Sequence, residues 1–412
     1  MTVVAHGPRI VEKSYLELDF QYRFVTGSGR TVRTVTTLAF GDRLFHDTGE
    51  FDAQPALRNF FAEVDVSEKL SAWVGSRMYR GDDIYLFDYW PLDDQNTLGA
   101  GGRYEFGAET APFVAKAHVG WNRLLDEFQF QEIEVPDPEQ GATTVTQLNR
   151  QRMVASATFE APIITTDRTG LNLRAKAHAE LQSLPSGTRR RDDGTFEALP
   201  ADQGFTVGFE LSTFGFAGDF DTYNRPANLC ARSSQGRAAF DELAPPTSFD
   251  MELKSYPRAS ELVVGVSANW DHALGNLMVG AVTRRFVDAD RNSEDVDDGW
   301  EYAIAARPLA RAYKDLFVGA DLSYQVRFPR GLNPTSQLAS DPAIVQIAPM
   351  LVWSPLGGSG YARPQLRFVY RAARLNGGAR DLYAPDDPRH DRTWVHFLGF
   401  QAEWWFNSAS YR

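Results

Sequence analysis

The stretch Leu316-Phe-Val-Gly-Ala-Asp-Leu-Ser-Tyr-Gln-Val-Arg-Phe328 alternates between two kinds of side chain. Counting from Leu316, every second residue is apolar, and after Phe317 the positions between them carry glycine, aspartate, serine, glutamine and arginine. A period of two places successive side chains on opposite faces of a β-strand. A dry core does not tolerate unpaired charges at consecutive inward positions. The pattern therefore predicts a strand with one apolar face and one face in water.

The same alternation recurs in residues 15–25, 171–182, 361–371 and 394–406. These runs are about 10–13 residues long, whereas strands of globular proteins usually have about 5–6 residues. About ten residues is the length that a tilted strand needs to cross a bilayer. The apolar faces end in Trp, Tyr or Phe, as the aromatic girdles of outer-membrane barrels do. We predict an all-β fold, a transmembrane antiparallel β-barrel; a soluble β-sandwich with one solvated sheet face is the alternative.

The connections between these runs differ in length. Long polar segments at Glu134–Asn149, Ser186–Gln203 and Asp288–Gly299 alternate with short ones such as Val25–Arg30. Outer-membrane barrels have the same asymmetry between extracellular loops and periplasmic turns. No shift in composition marks a domain boundary, so residues 1–412 are predicted to form one barrel domain. At about 22 residues per strand with its connection, the chain length corresponds to about 18 strands.

The composition excludes several classes of protein. The net charge of −12 argues against nucleic acid as a partner, because phosphate binding needs a basic surface. Cys230 is the only cysteine, so the chain has no disulfide framework and no cysteine metal cage. No run of about 18 apolar residues is present, which excludes a transmembrane helix. Residues 1–7 also lack the basic segment and apolar core of a secretory signal.

Two polar segments resemble binding motifs and fail on inspection. The acidic run from Asp288 to Gly299 has Ser293 and Gly299 where a calcium loop of the EF-hand type needs Gly and Glu. We interpret it as a solvated loop, with adventitious calcium binding left open. The run 189–191 consists of three arginines beside two aspartates, too few for a localisation signal or a polyanion site.

Catalysis is weakly supported by the sequence. A cluster of five aspartates could supply the carboxylate pair of a glycosidase, but nothing fixes their separation. The histidines suggest no triad, and the Gly-x-Ser-x-Gly pattern is absent. We predict a protein that is not an enzyme, without cofactor or bound metal. The aspartates are Asp82, Asp83, Asp88, Asp93 and Asp94.

The segment from Trp73 to Trp90 is the least generic part of the chain. Its second half alternates poorly for a wall strand and is crowded with aspartates and aromatic rings. A constriction loop folded into a lumen needs this mixture, and we place that loop at about residues 80–98. An edge strand followed by an ordinary loop is the alternative.

At this segment the sequence resembles the maltoporins, the sugar-specific porins of the outer membrane of Gram-negative bacteria. The resemblance spans nearly the whole chain, although residues from about 134 to 256 align poorly. The matching blocks are Ser14-Tyr15-Leu-Glu17-Leu, Ala56-Leu-Arg58, Trp73-x-Gly75-x-Arg77-x-Tyr79 with Asp83, Asp88 and Trp90, Ala306-Arg307-Pro308-Leu309, Arg363-Pro364-x-Leu-Arg367, and Gly399-Phe-Gln401-Ala-Glu403-Trp-Trp405-Phe406.

The resemblance implies an 18-stranded barrel that assembles as a homotrimer in outer-membrane lipid. It also implies facilitated diffusion of maltose, maltodextrins or related oligosaccharides past a slide of aromatic rings and a track of polar groups. By position, the slide residues are Tyr15, Tyr361 and Trp405, with Phe51 near an aromatic that a neighbouring subunit contributes. The polar track includes Glu17, Arg58, Asp83 and Asp88, and Trp90 stands where the family has a tyrosine of the constriction loop.

The alternation independently places three of these aromatics on a polar face. Tyr15 shares a face with Glu17, and Trp405 shares one with Glu403. The alternation also predicts that Tyr361 shares a face with the arginines that follow it. An aromatic ring beside charged groups complements a sugar, which has an apolar face and a rim of hydroxyls. Two alternatives stay open, a general or differently selective porin and a soluble β-rich enzyme acting on carbohydrate.

Two departures from the family pattern affect the expectations. Gly81 stands where the family has an arginine, so the charges at the narrowest point are open. The family's first strand has no counterpart ahead of Ser14. We therefore expect the export signal and the first strand to lie upstream. The residues given would then form about 17 strands with an unpaired edge, which a bilayer does not tolerate.

Overall fold

The protein is described by a computed structural model, and its strands belong mainly to one large sheet. One predicted site residue, Phe51, lies outside the described residues. The described residues are 2–10, 13–44, 49, 52–123, 130–138, 141–148, 150–166, 171–191, 193–215, 225–240, 252–290, 296, 298–333 and 336–405.

The described part of the chain forms one antiparallel sheet of seventeen strands. Each strand of the sheet pairs with the next one along the chain, and two short hairpins, β7–β8 and β11–β12, stand outside it. The strands are β1 (Ser14–Val25), β2 (Thr31–Arg43), β3 (Asp52–Ser67), β4 (Leu70–Arg80), β5 (Asp94–Ala108), β6 (Ala111–Asn122), β7 (Phe130–Asp137), β8 (Gly141–Leu148), β9 (Arg152–Ile164), β10 (Asn172–Leu184), β11 (Gly187–Arg190), β12 (Phe196–Leu199), β13 (Asp202–Phe214), β14 (Ala227–Gly236), β15 (Ser260–His272), β16 (Gly275–Val287), β17 (Gly299–Tyr313), β18 (Leu316–Pro329), β19 (Ala343–Trp353), β20 (Gln365–Leu375) and β21 (Trp394–Glu403).

The two edges of this sheet are β1 and β21. In the described residues no ladder joins them, so closure into a barrel stays a prediction. The all-β class and the antiparallel order of the strands are confirmed. Most wall strands have 10–16 residues, which is the length range of strands that cross a bilayer at a tilt.

The alternation of the sequence predicts correctly which side chains face inward. In β18, Asp321 and Gln325 are buried, whereas Leu322 and Tyr324 are exposed. In β10, Lys176 is buried although both of its chain neighbours are alanines. The polar set therefore faces the inside of the curved sheet, and the apolar set faces outward.

The two rims of the sheet differ in the lengths of their connections, although less sharply than the sequence predicts. One rim, the turn rim, has two-residue turns at residues 68–69, 109–110, 273–274 and 314–315, and longer connections at residues 26–30, 165–171, 215–226 and 354–364. At the other, the loop rim, every connection has eight or more residues. Two predicted loops of the loop rim contain the hairpins β7–β8 and β11–β12.

Helices contribute little to this fold. The helix α1 (Gly377–Arg380) follows β20 at the loop rim, and the Asn376 side chain accepts a hydrogen bond from the backbone N–H of Ala379. No helix in the described ranges has the length and apolar character needed to span a membrane.

The two suspected binding loops have local partners. At the acidic run, the Asp298 carboxylate accepts the backbone N–H of Asp288 at 2.8 Å, which draws the two loop ends together. Across the described ranges, no group of three or more His, Cys, Asp and Glu side chains could hold a metal ion. In the arginine run, Arg191 pairs with Glu197 at 3.1 Å across the β11–β12 hairpin.

Candidate functional site

The predicted constriction segment is a loop folded against the inner face of the sheet. The loop comprises residues 81–93, which we call the constriction loop, because Arg80 still pairs with Asp94 in the β4–β5 ladder. Residues 94–98 of the expected segment therefore belong to β5. The backbone N–H of Gly81 donates to the carbonyl of Asp93 at 2.9 Å and closes the base of the loop.

The loop tip is apolar and buried. A 3-10 turn, Tyr85–Phe87, leads into Asp88, whose φ of 51° is left-handed. Ile84 and Tyr89 form an isolated β-bridge across this turn. Only 2% of Ile84 and 5% of Phe87 are exposed, so the tip packs like a small core.

The apolar side chains of the loop fit into notches that glycines leave in the opposite wall. A Cβ added to Gly265 of β15 would lie 2.5 Å from Cδ1 of Ile84, and one added to Gly280 of β16 would lie 2.9 Å from Cε2 of Phe87. Such contacts are too short for any other residue type without a shift of the loop. The thiol of Cys230 is buried in the same apolar patch and donates to the carbonyl of Gly265 at 3.4 Å.

Polar contacts fix the two ends of the loop. Lys176 Nζ donates to Oδ2 of Asp82 at 2.7 Å and lies 3.4 Å from Oε1 of Glu210. At the other end, Arg232 donates to the carbonyl of Pro91 at 3.3 Å. Burial raises the pKa of Asp82, but its hydrogen bond with Glu210 and the ammonium of Lys176 outweigh burial and lower that pKa. Asp82 is therefore an ionised anchor of the loop.

Tyr85 joins the loop tip to β21 and to the connection that precedes β20. Its hydroxyl donates to the carboxylate of Glu403, with oxygen distances of 2.7 and 2.8 Å, and accepts from Nη2 of Arg363 at 2.6 Å. Glu403 also pairs with Arg363 at 3.0 Å and with Arg367 at 2.5 Å. We call these four residues the Tyr85 cluster.

Two predicted slide residues meet at this cluster. The ring of Tyr85 makes edge contacts with Tyr361 at 5.9 Å and with Trp405 at 6.1 Å between ring centroids. The guanidinium of Arg363 lies 4.0 Å from the centroid of the Trp405 ring. Flat rings and charged donors and acceptors are therefore combined on one inner surface, as sugar binding requires.

Tyr361 lies in the connection before β20 and not within the strand, which corrects the sequence-based placement. Pro364 has no amide N–H and cannot extend the ladder, so β20 begins at Gln365. The connection is held by the carboxylate of Asp271, which accepts the backbone N–H of Gly360 at 3.0 Å. Burial, followed by the nearby charge of Asp83, raises the pKa of Tyr361.

A second predicted group assembles on β1 and β3. The hydroxyl of Tyr15 bonds to Glu17, and Arg58 donates to both of them. The guanidinium of Arg58 lies 5.7 Å from the centroid of the Tyr15 ring. The structure thus groups these three predicted residues with one another, apart from the Tyr85 cluster.

The remaining predicted residues lie on the constriction loop. Burial and the carboxylates of Asp82 and Asp88 raise the pKa of Asp83 to about 6. Asp88 pairs with Arg9 at 3.1 Å. Arg80 stacks on Trp90, with 3.9 Å between the guanidinium carbon and the ring centroid.

Sequence reasoning missed the central role of Tyr85 and the contribution of Arg9. Tyr85 lies within the aromatic segment that the sequence singles out, but its partners Arg363 and Glu403 are about 280 and 320 residues further along the chain. No local pattern reports a contact across the inside of the sheet. The charge of Arg9, in a segment with no strand pattern, was the only available signal.

A comparison with protein families identifies one match. The model described as LamB porin matches residues 12–406. This agrees with the resemblance to the maltoporins that the sequence blocks suggest.

Among solved structures, the chain is similar to forms of OmpT, an outer membrane protein of Vibrio cholerae. Its loop L8 deletion mutant is 12% identical, with 88% of this chain and 92% of that chain covered and a TM-score of 0.30. The in-vitro folded OmpT is 11% identical, with 88% and 86% covered and a TM-score of 0.31.

The family match spans nearly the whole chain, including the constriction loop, the Tyr85 cluster and the long wall strands. The protein is therefore a channel of the outer membrane of a Gram-negative bacterium rather than an enzyme, and the chain belongs to the LamB porin family.

Proposed function

We propose that the protein conducts maltose, maltodextrins or related oligosaccharides through its lumen by facilitated diffusion. The observation that carries this proposal is the grouping of Tyr361, Tyr85 and Trp405 beside Arg363 and Glu403 on the inner face of the sheet. A general porin needs charged walls but no such surface of rings.

The chemistry of a pyranose matches this surface. Its C–H face packs on a flat aromatic ring, and its equatorial hydroxyls reach the groups at the ring edge. Charged groups make hydrogen bonds that are roughly twice as strong as those between neutral groups. Trp405 is 42% exposed, so its ring has room for a solute. Tyr85 is buried and holds the ring of Trp405 in position.

Transport also needs a sequence of weak sites, since binding must favour uptake yet permit release. The group of Tyr15, Glu17 and Arg58 is a second binding site with the same chemistry, since it combines one ring, one carboxylate and one guanidinium. Asp83 and Asp88 of the constriction loop add acceptors for hydroxyls between the walls.

We further propose that residues 1–412 belong to a single barrel domain of about 18 strands, assembled as a homotrimer in outer-membrane lipid. In this assembly Phe51 and Trp90 complete the aromatic path, Phe51 across a subunit contact. Family membership supports the trimer, and crosslinking followed by gel migration without heating measures it.

The test is the current through single channels in a planar bilayer with maltodextrins added in increasing concentration. We expect saturable interruptions of the current, and we expect Trp405→Ala to weaken them at least tenfold because it removes a stacking face. Trp404→Ala is the matched control, since its ring is 66% exposed and the alternation of β21 places it on the opposite face.

Three outcomes are distinguishable. Current interruptions that persist unchanged in Trp405→Ala contradict the aromatic path. A wild-type channel that conducts without any sugar-dependent interruption supports the general porin. If other sugars interrupt the current and maltodextrins do not, the aromatic path is supported and the proposed substrate is wrong.

A further inference from the structure

The segment Thr2–Ile10 lies along the inner face of the sheet, although its sequence shows no strand pattern. Near the loop rim, the backbone N–H of Val3 donates to Oε1 of Gln325 at 2.9 Å, and that of Ala5 donates to Oε2 of Glu301 at 2.8 Å. Gln325 and Glu301 belong to β18 and β17, and both are buried. The wall therefore presents side-chain acceptors to the backbone of this segment.

The apolar residues of the segment are anchored at two heights. Val3 is 7% exposed and packs in the cluster that contains Ile344 and Leu375, at the loop-rim ends of β19 and β20. Ile10 is 4% exposed and belongs to a different cluster, with Phe317 and Val352 near the turn rim. Nine residues reach at most about 30 Å when extended, so the segment runs along the wall from one half of the sheet to the other.

Its opposite side contacts the constriction loop. The backbone N–H of Arg9 donates to the carbonyl of Leu86 at 2.8 Å. The His6 ring stacks on the Tyr89 ring, with 3.6 Å between centroids and 21° between planes. The segment thus fills the space between the constriction loop and the wall formed by β17–β20.

One charge of this segment faces the loop. Arg9 Nη1 lies 3.1 Å from Oδ1 of Asp88, and the two side chains are 29% and 47% exposed. The guanidinium is also 5.8 Å from the centroid of the Tyr85 ring. Both partners of this pair are therefore accessible to water beside the site described above.

We propose that Thr2–Ile10 is a luminal strap that narrows the channel against the constriction loop, and that Arg9 supplies the constriction with its cation opposite Asp88. Gly81 leaves the loop without an arginine at the place where the resemblance expects one, and the strap brings a guanidinium to the same loop from another part of the chain. The paired charges offer a donor and an acceptor to hydroxyl groups of a passing solute.

The proposal rests on the proposed function only in that the inner face lines a conducting path. Its first test uses ions and no sugar, so its failure is separable from failure of the sugar hypothesis. A unit charge about 6 Å from an ion in a water-filled lumen changes the local ion concentration about threefold. The measurement is the reversal potential of single channels in a salt gradient, converted to a ratio of cation to anion permeability.

We expect Arg9→Gln to raise this permeability ratio about threefold or more, because Asp88 loses its counter-charge. Asp88→Asn lowers it by a similar factor, and the double variant returns it close to the wild-type ratio. Arg9→Lys is the matched control that keeps the charge and hence the ratio. An unchanged ratio in Arg9→Gln, alongside a shift in Asp88→Asn, overturns the role of Arg9.

A second measurement tests the position of the strap without relying on its charge. Ala5 is exposed, and Ala5→Cys in a Cys230→Ala background offers one reactive thiol. Attachment of a bulky water-soluble thiol reagent should lower the single-channel conductance by a third or more. Ser28→Cys in the same background, in the turn between β1 and β2, is the control that should label without loss of conductance. Complete labelling at position 5 with unchanged conductance overturns the luminal strap.

Discussion

Removal of one hydroxyl, in Tyr85→Phe, tests whether the Tyr85 cluster holds the constriction loop in place. The substitution keeps the ring and its edge contacts with Tyr361 and Trp405, so packing is conserved. It removes the hydrogen bonds that join the loop tip to Glu403 and to Arg363. The expected result is a loop that leaves its docked position more often.

The magnitude follows from the partners that remain. Hydrogen bonds to charged groups contribute about 1.5–3 kcal/mol each. Glu403 keeps its ion pairs with Arg363 and Arg367 at 3.0 and 2.5 Å, so the substitution leaves none of these three charges unpaired. The docking free energy that the loop loses should therefore approach the value of one such hydrogen bond. A loss of about 1.5–3 kcal/mol raises the undocked population about 10- to 150-fold.

The assay is the open-channel current of single molecules in a bilayer. We expect added current noise and a weaker interruption by maltodextrins in Tyr85→Phe, and an unchanged current in Tyr324→Phe. Tyr324 is 42% exposed on the outer face of β18 and serves as the matched loss of a hydroxyl. Noise and sugar affinity equal to wild type in Tyr85→Phe would refute the role of this cluster as an anchor.

Three further variants test other parts of the site. Gly280→Ala places a Cβ 2.9 Å from a side chain of the constriction loop; overpacking costs about 1–3 kcal/mol, so we expect a displaced loop and a higher conductance, and an unchanged conductance contradicts the notch. Gly360→Ala places a Cβ 2.5 Å from a buried amide oxygen. It should move Tyr361 and so weaken the interruption of the current by sugar, while the conductance is retained. A sugar affinity equal to that of the wild type contradicts this role of Tyr361. Gly27→Ala, with no atom within 4 Å of the added Cβ, is the control for both. Because the pKa of Asp83 is raised to about 6, its negative charge is present above that pH and is lost as the pH falls from 7 to 5. The cation preference of the channel should therefore fall over this interval. If the cation preference of Asp83→Asn falls with pH as steeply as that of the wild type, another group titrates.

The sequence predicts the wall strands of this protein better than the segments that pack against their inner face. Alternation with a period of two is a local property, and it correctly assigns Asp321 and Gln325 to the inner face and Leu322 to the outer one. The constriction loop is also recognisable from its composition. Its partners are not, because a contact such as that between Tyr85 and Arg363 joins residues 278 positions apart.

Two placements show where the pattern fails. The alternation around Tyr361 predicts a strand, but Pro364 interrupts the ladder and leaves Tyr361 in a connection. The segment Thr2–Ile10 has no periodicity, so no local pattern predicts where it lies. The backbone N–H groups of Val3 and Ala5 donate to side chains of β18 and β17, which are 322 and 296 positions away.

The glycine notches that receive the constriction loop have a consequence for the order of assembly. Ile84 and Phe87 cannot dock until β15 and β16 have paired, and those strands begin at residues 260 and 275. Contacts between residues so distant in sequence form late, since closing a long segment of chain costs entropy before the contact repays it. We therefore expect the newly inserted protein to pass through a wide, leaky form and to become selective only when the loop closes over its notches. Transient ion leakage during insertion, prolonged in Gly280→Ala, is the signature of that order; insertion that is selective from its first current step would exclude it.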